Sequence, residues 1–477
     1  MKLNHKRTIL VGFAFFLIQA FWQAYDNTIP MILTNKFGMS QAWSGAIMAL
    51  DNVLALFMLP LFGAISDKHH SKWGRRTPFI VVGTLIAAVM LIALSFVDNA
   101  QLHHISDVAA IDDPAALETI YDREADETLL TPGGQKFVLS RQFTKEEFTQ
   151  IRSQITVDGA AVTNPDYTNY VMPARQACAW DATAKSPVTL VFFIALLLVI
   201  LVSMAVFRSP AVALMPDVTL KPLRSKANAV INLMGSAGGI LVLVLGMVFA
   251  TSAVRNSLMS YTGYFAVIAA IMLAALVVFM LTVRENEWAA EMQQQSVELG
   301  LEDKEEAATG ERKLSVDEVK SLIFLLLSIV LWFFGYNAVT SKYSVYASNI
   351  LHKDYNLTLI IAQAAAIISY LPVGFIASKV GRKKTILAGV VMLTAAFTTA
   401  SFMSAESPTM LMNAMFALAG IAWATINVNS FPMVVEMCSG GNVGKYTGFY
   451  YTASMAAQVA TPMLSGLLMD RMGMHVL

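Results

Sequence analysis

Charge is scarce. Lys, Arg, Asp and Glu make up 14% of the 477 residues, against about 25% in a typical soluble domain. Hydrophobic residues make up 56%, more apolar surface than so few charges can screen from water, which makes lipid the outer solvent. Net charge is absent too: 33 basic and 33 acidic side chains balance, leaving no field to attract a nucleic acid. The cysteines, Cys178 and Cys438, number only two, and no His/Cys cluster has metal-ligand spacing. No nucleophile–base arrangement occurs, so the enzyme class has no supporting residues and no cofactor is called for. Glycines at Gly235, Gly238, Gly239 and at Gly440, Gly441 lack the lysine and the strand-to-helix setting of a phosphate loop. They read as close helix packing or a turn.

What is present is a set of long apolar runs. Eleven occur, at 8–33, 41–64, 78–98, 188–208, 227–252, 258–283, 319–341, 357–378, 384–404, 409–429 and 446–469, each near the roughly 20 residues that cross a bilayer. Lipid offers backbone groups no partners, so each is expected to be a helix, and the class is an all-α multi-pass membrane protein. The first run follows Met1–Arg7 as a signal peptide would, but it is too long and lacks a small-residue cleavage site, and it reads as span one. Basic clusters (Lys2, Lys6, Arg7; Lys68, Lys72, Arg75, Arg76; Lys221, Arg224, Lys226; Lys379, Arg382, Lys383, Lys384) fall in alternate loops. Those loops and the N-terminus are expected in the cytoplasm of a plasma or bacterial inner membrane. The two cysteines then lie on opposite sides and do not pair.

Two segments are not membrane. Residues 99–187 are rich in acids (Asp107, Asp112, Asp113, Glu118) and are expected outside, as a small, loosely helical cap with amphipathic pieces such as 141–155. Such a cap gates access, binds a partner or is a tolerated surface insertion. Residues 284–318 are a charged cytoplasmic linker between a first half, 1–283, and a second, 319–477.

The halves repeat. Tyr25 matches Tyr336 and Asp26 matches Asn337 at an offset of 311, as Gly63 matches Gly374; Gly74-Arg75-Arg76 matches Gly381-Arg382-Lys383 at 307; Asp217 matches Glu436 and Lys226 matches Lys445 at 219. The fall in offset is about the length of the 99–187 insert. Parallel six-helix repeats are the plan of the major facilitator fold, with substrate bound between the halves near the midplane. That plan expects a twelfth span, and truncation of the chain is the favoured account of its absence.

Residues 63–78, GAISDKHHSKWGRRTP, carry a charged loop. Gly63 is expected to let spans two and three approach closely. Asp67, Gly74, Arg75 and Arg76 can bridge to Asp217 at the end of span four, and the second copy (Gly374, Gly381, Arg382, with Glu436) repeats the device with Ser378 in place of the aspartate. Such a cluster latches the outward-open state; the plainer reading is a positive-inside anchor. This motif, with RSPAVALMPD (208–217), RSKANAVINLMG (224–235) and KYTGFYYTASMAAQ (445–458), resembles the sucrose-transporter-like branch of the major facilitator superfamily, related to the glycoside–pentoside–hexuronide:cation symporters. The resemblance spans all eleven runs but not the insert. It implies cation-coupled, usually proton-coupled, uptake of a sugar or glycoside, without saying which. Those cation symporters carry a carboxylate pair in span two; here Leu59 and Ala55 stand at those places, which favours protons over sodium.

Ionisable residues inside spans are costly and mark function. Asp26 in span one and Asp51 in span two are the proton-coupling candidates. A carboxyl in a poorly hydrated cavity can load a proton on one side and release it on the other. Each can equally be a structural partner of another helix. Arg208, placed at the end of span four, either pairs with them or grips substrate, or it snorkels to the interface. Sugars are held by amides and aromatic faces. Span one offers Gln19, Trp22, Gln23, Tyr25 and Asn27; span five Asn232; span seven Trp332, Tyr336, Asn337 and Tyr343. Span eight adds Gln363, span ten Trp423, Asn427 and Asn429, and span eleven Tyr450 and Gln458. The bland role of each is helix glue or an interface belt. The partners expected are thus a small solute, protons and the bilayer, with the chain acting as a monomer. The alternatives are a facilitator or exporter of another neutral solute, and a non-transporting solute sensor.

Overall fold

The computed structural model describes residues 3–132, 134–157, 160–251, 253–301, 314–340, 343, 355–404, 406–438 and 442–472. Each of the eleven apolar runs holds a long helix. The spans are His5–Asn35, Gln41–Lys68, Thr77–His104, Val188–Asp217, Lys221–Val248, Thr262–Thr282, Val316–Thr340, Tyr355–Val380, Arg382–Ser401, Thr409–Val435 and Val443–Met472. The first ten are long and apolar enough to cross a membrane, taking span eight from Thr358. Large apolar side chains face outward along them, Phe57 at 67% exposure and Leu281 at 79%, as lipid rather than water would allow.

Within each half the spans pack one on five, three on four, and eight and nine on ten; spans two on eleven and five on eight cross between halves. The crossings use small residues, the device that lets membrane helices approach without a hydrophobic drive. Gly444 and Gly448, one turn apart on span eleven, meet Gly63 and Pro60 of span two; a Cβ added to Gly63 would sit 2.1 Å from the Gly444 carbonyl oxygen. The sequence placed Gly63 between spans two and three. It lies instead against span eleven and against Ser209 of span four. Gly374 repeats the role on Ser225 and Ala229 of span five, while Gly235 and Gly238 let span five close on Phe15 and Phe16 of span one. Gly440 and Gly441 lie outside the described residues.

Span two is interrupted at Ala49, between Gln41–Met48 and Leu50–Lys68; the Ala49 N–H is shared by the Gly45 and Ile47 carbonyls, and Asp51 falls in the first turn of the second piece. Span four runs nine residues past the 208 expected from sequence.

Span three continues to His104, so the insert begins at 105 rather than 99. It has a core of its own around Leu117, Ile120, Phe148, Tyr167 and Cys178. It is less helical than expected. Two antiparallel hairpins, Leu129–Leu130 with Lys136–Phe137 and Gln154–Val157 with Ala160–Thr163, interrupt it. Of the amphipathic 141–155 piece, Lys145–Gln150 forms the longer helix, closed by a Thr144/Glu147 capping box; the β-branched Ile155, Thr156 and Val157 then favour strand. Beneath the insert, Lys36, after span one, gives hydrogen bonds to Asp98 of span three (2.6 and 2.7 Å) and to the Met259 carbonyl before span six (2.7 Å), with both ion-pair side chains fully buried. The insert is fixed to this end of the bundle. Gly38, at φ +67°, has the Trp180 N–H of the insert where a Cβ would stand. Gln176 donates to Asn35 and Gln101 to Thr183.

In the linker, Glu285–Glu298 is a helix that returns to the first half through buried Glu285 and Trp288 and an Arg7–Glu291 ion pair.

Candidate functional site

At the end of the bundle that carries the basic loops, Arg76 is fully buried among carboxylates. Its Nε donates to Asp217 (2.8 Å) and its Nη2 to Asp67 (2.5 Å), while Arg75 donates to the other Asp217 oxygen (2.8 Å). Asp67 also accepts from the backbone N–H groups of Gly444 and Lys445, at 2.8 and 2.7 Å. A carboxylate at a helix N-terminus satisfies orphan amides and meets the positive end of the dipole, so Asp67 ties the two halves. Glu285 supports this cluster from the linker. Its oxygens accept from the Arg75, Arg76 and Thr77 amides at 2.8 Å each and fill the space over Gly74, whose φ is +114°.

The second copy repeats the bridge with different donors. Arg382 pairs with Glu436, and crosses to the first half through Ser225 Oγ and the Lys221 carbonyl, both 2.6 Å. Gly381 starts span nine at φ +95°. Ser378, at the aspartate's place, only donates to its own helix, at Phe375. Glu285, Ser225 and Gly444 were not named from sequence. Glu285 lies among the linker acids with nothing in pattern to mark it, whereas G-x-x-x-G at 444–448 was legible.

More than four turns further along span two, about 24 Å at 1.5 Å per residue, lies a cavity of about 450 Å³. Gln19, Trp22 and Asp26 reach it from one face of span one, Asp51 and Asn52 from the interruption of span two, Arg208 from span four, and Met455 and Gln458 from span eleven. Both proton-coupling candidates and the arginine therefore share one space. Asp51 Oδ1 and Arg208 Nε are buried without a hydrogen-bond partner, an arrangement costly enough to need an explanation. The sequence put Arg208 at a helix end. It lies well inside span four because that helix continues to Asp217, and the snorkelling reading falls. Its guanidinium carbon sits 5.5 Å from the Trp22 ring centre and 4.9 Å from that of Tyr451, a span-eleven residue not singled out from sequence.

The other expected contacts are not among this lining. On span one, Gln23 donates to Asn27 (3.1 Å) and Tyr25 stacks on Phe21. Asn232 bonds to Asn228 one turn back, and Asn429 to the Thr425 carbonyl. Tyr336 lies 6.2 Å from Trp423, and Tyr450 donates to Asn427 (3.2 Å). Trp332 and Asn337 keep buried nitrogens without partners. Tyr343 packs on Phe416 at 4.2 Å with its hydroxyl on the Met412 sulfur, and Gln363 is exposed on span eight. Tyr343 in particular is core, drawn there by the apolar neighbours that its hydroxyl still finds a way to satisfy.

The family model described as Major Facilitator Superfamily matches residues 176–462, and a second, described as MFS/sugar transport protein, matches 10–103. The chain belongs to the Major Facilitator Superfamily. Sucrose transport protein SUC3 of Arabidopsis thaliana is 39% identical over 67 residues, 14% of this chain; the match spans 11% of that relative's length. Among solved structures, the MFS transporter FucP in the outward conformation aligns over 98% of this chain and 92% of its own at a TM-score of 0.58 and 14% identity. The proton:xylose symporter XylE bound to 6-bromo-6-deoxy-D-glucose aligns over 98% and 90% at 0.55 and 15%. At such identities the likeness is one of fold, and it is the major facilitator fold that the repeat implied.

Proposed function

We propose that the protein is a secondary active transporter that carries a sugar together with protons by alternating access. The observation that carries this reading is the Asp51 carboxyl, with an oxygen buried and unpartnered beside a cavity between the halves that Asp26 and Arg208 share. A carboxyl so placed must exchange its proton to change state, and inside a span it serves function by default. The sugar-transport model over 10–103 covers Asp26 and Asp51 and, with the sucrose transport relative, supports a sugar as cargo. Gln19, Gln458 and Trp22 offer amides and an aromatic face to it. The halves 1–283 and 319–477 rock about the cavity as the carrier works, as a monomer in a plasma or bacterial inner membrane. Its N-terminus and basic loops face the cytoplasm, and the Asp67–Gly444 and Arg382–Ser225 contacts latch the outward-open state.

The test is reconstitution in liposomes with a trapped pH indicator and a panel of sucrose, maltose, xylose and glucose, Asp51→Asn alongside. Lumen acidification by one sugar, lost in Asp51→Asn, is the expected result. Sugar entry without acidification makes the protein a facilitator and removes the role of Asp51.

A further inference from the structure

Arg208 holds an unusual position for a cation in a cavity with two carboxyls. Among the described residues no carboxylate lies within ion-pair distance of it; its guanidinium instead rests on two rings, Trp22 of its own half and Tyr451 of the other. A charge-assisted bond to a carboxylate is stronger than a contact with a ring face. With the carboxyls nearby protonated, no such bond competes and the ring arrangement is the stronger one. The titratable groups around Arg208 among the described residues are Asp26 from span one, Asp51 from span two, and Tyr450 and Tyr451 from span eleven.

Tyr451 is the cross-half member of that set. It follows Gly444 and Gly448 on one helical face, the i, i+4, i+7 spacing that turns toward span two. Its ring is edge-on to Tyr450 at 5.5 Å, and the Tyr450 hydroxyl donates to Asn427 of span ten. A guanidinium on Tyr451 thus reaches from span four of the first half to span ten of the second, just beyond the closed basic end.

We propose that Tyr451 is a positioning residue that guards against proton leak: with the cavity carboxyls protonated and no cargo bound, Arg208 stays on its ring and holds the basic end shut. The inference rests on the proton-coupled reading above. A symporter must forbid one movement above all, reorientation of the protonated, empty carrier, which would carry protons without sugar. When the carboxyls ionise, Arg208 turns to them and releases Tyr451, so the empty carrier resets. When sugar hydroxyls take up the guanidinium they release Tyr451 as well, so the loaded carrier moves. The populations shift because each ligand binds the two arrangements unequally.

The test needs no sugar. Proteoliposomes of the full chain receive an acid pulse outside, with potassium and valinomycin clamping the potential, and internal pH is followed. Tyr451→Leu and Tyr451→Met are expected to let protons in about tenfold faster than the parent, the rate equivalent of one partly desolvated cation–π contact. Tyr451→Phe, which keeps the ring and loses only the hydroxyl contact to Arg208, is expected to leak far less than Tyr451→Leu. Exchange of radiolabelled sucrose across the membrane should persist in both ring-free variants if the fold is intact. A tight Tyr451→Leu that still exchanges sucrose overturns the guard, as does a Tyr451→Phe that leaks like Tyr451→Leu. A parent that neither exchanges sucrose nor acidifies with any sugar overturns the sugar reading instead, while the sugar-free comparison of Leu and Met with Phe still decides the guard.

Discussion

The Asp67 carboxylate of span two caps span eleven through the Gly444 N–H, 2.8 Å away, so one side chain completes both an ion pair in its own half and a helix terminus in the other. Hydrogen bonds to a charged acceptor contribute about 1.5–3 kcal/mol each. Asp67→Asn keeps the shape but weakens them and leaves Arg76 half-paired. A cysteine in place of buried Ser209 reads the consequence: in Asp67→Asn it should react with a maleimide from the basic side at least tenfold faster. An unchanged rate would mean that this carboxylate does not hold the halves.

Gly63→Ala should open the same end by a different route. Its Cβ would meet a backbone oxygen, which cannot rotate away, and overpacking of this kind costs about 1–3 kcal/mol. Gly45→Ala, with no atom within 4 Å of the added carbon, is the control and should leave Ser209→Cys protected.

Lys36→Met strips a fully buried aspartate, Asp98, of its counter-ion. Removing one partner of a buried pair costs about 3–5 kcal/mol, whereas replacing both with apolar side chains is often neutral. The thermal midpoint of the purified chain should therefore fall sharply in Lys36→Met and largely recover in Lys36→Met with Asp98→Leu.

The insert carries a pH dependence of its own. Burial raises the Glu124 carboxyl above its ordinary range, with the Cys178 thiol as its hydrogen-bond donor opposing the shift. A raised carboxyl means that the native insert binds its proton more tightly than the unfolded chain does. Stability is then fully present below the ordinary carboxylate value of about 4.3 and declines as pH rises through the raised one. Glu124→Gln should remove the decline. Cys178 is itself buried with its thiol pushed up, first by burial and then by the Glu124 charge; in Glu124→Gln it should become more reactive to a disulfide reagent at neutral pH, because the thiolate forms more readily.

Much of this was legible in the chain. Apolar run length alone located eleven helices, because a bilayer fixes how many residues a span must hold. The charged loop bridged Arg75 and Arg76 to Asp217, and the repeat offsets carried those places to Arg382 and Glu436 before any distance was known. Partners across the halves were not legible. Gly63 reads the same whether it faces span three or span eleven, and Tyr451 differs from Tyr450 only by a turn angle. Arg208 was misplaced because its helix runs beyond the apolar stretch to the buried Asp217, where ion pairs, not lipid, take over as its support. Gln19, Trp22, Asp26, Asp51, Arg208 and Gln458 came together in one cavity. The remaining amides and aromatics did not, since an amide that serves as glue has the same letter as one that grips cargo.

The Gly38–Trp180 contact and the Gln176–Asn35 and Gln101–Thr183 hydrogen bonds bolt the insert onto spans one and three, so it is a lever arm on the first half. A small tilt of that half becomes a larger sweep at the insert's far hairpin. A fluorophore on exposed Gln154 would therefore magnify each turnover into a displacement visible one molecule at a time.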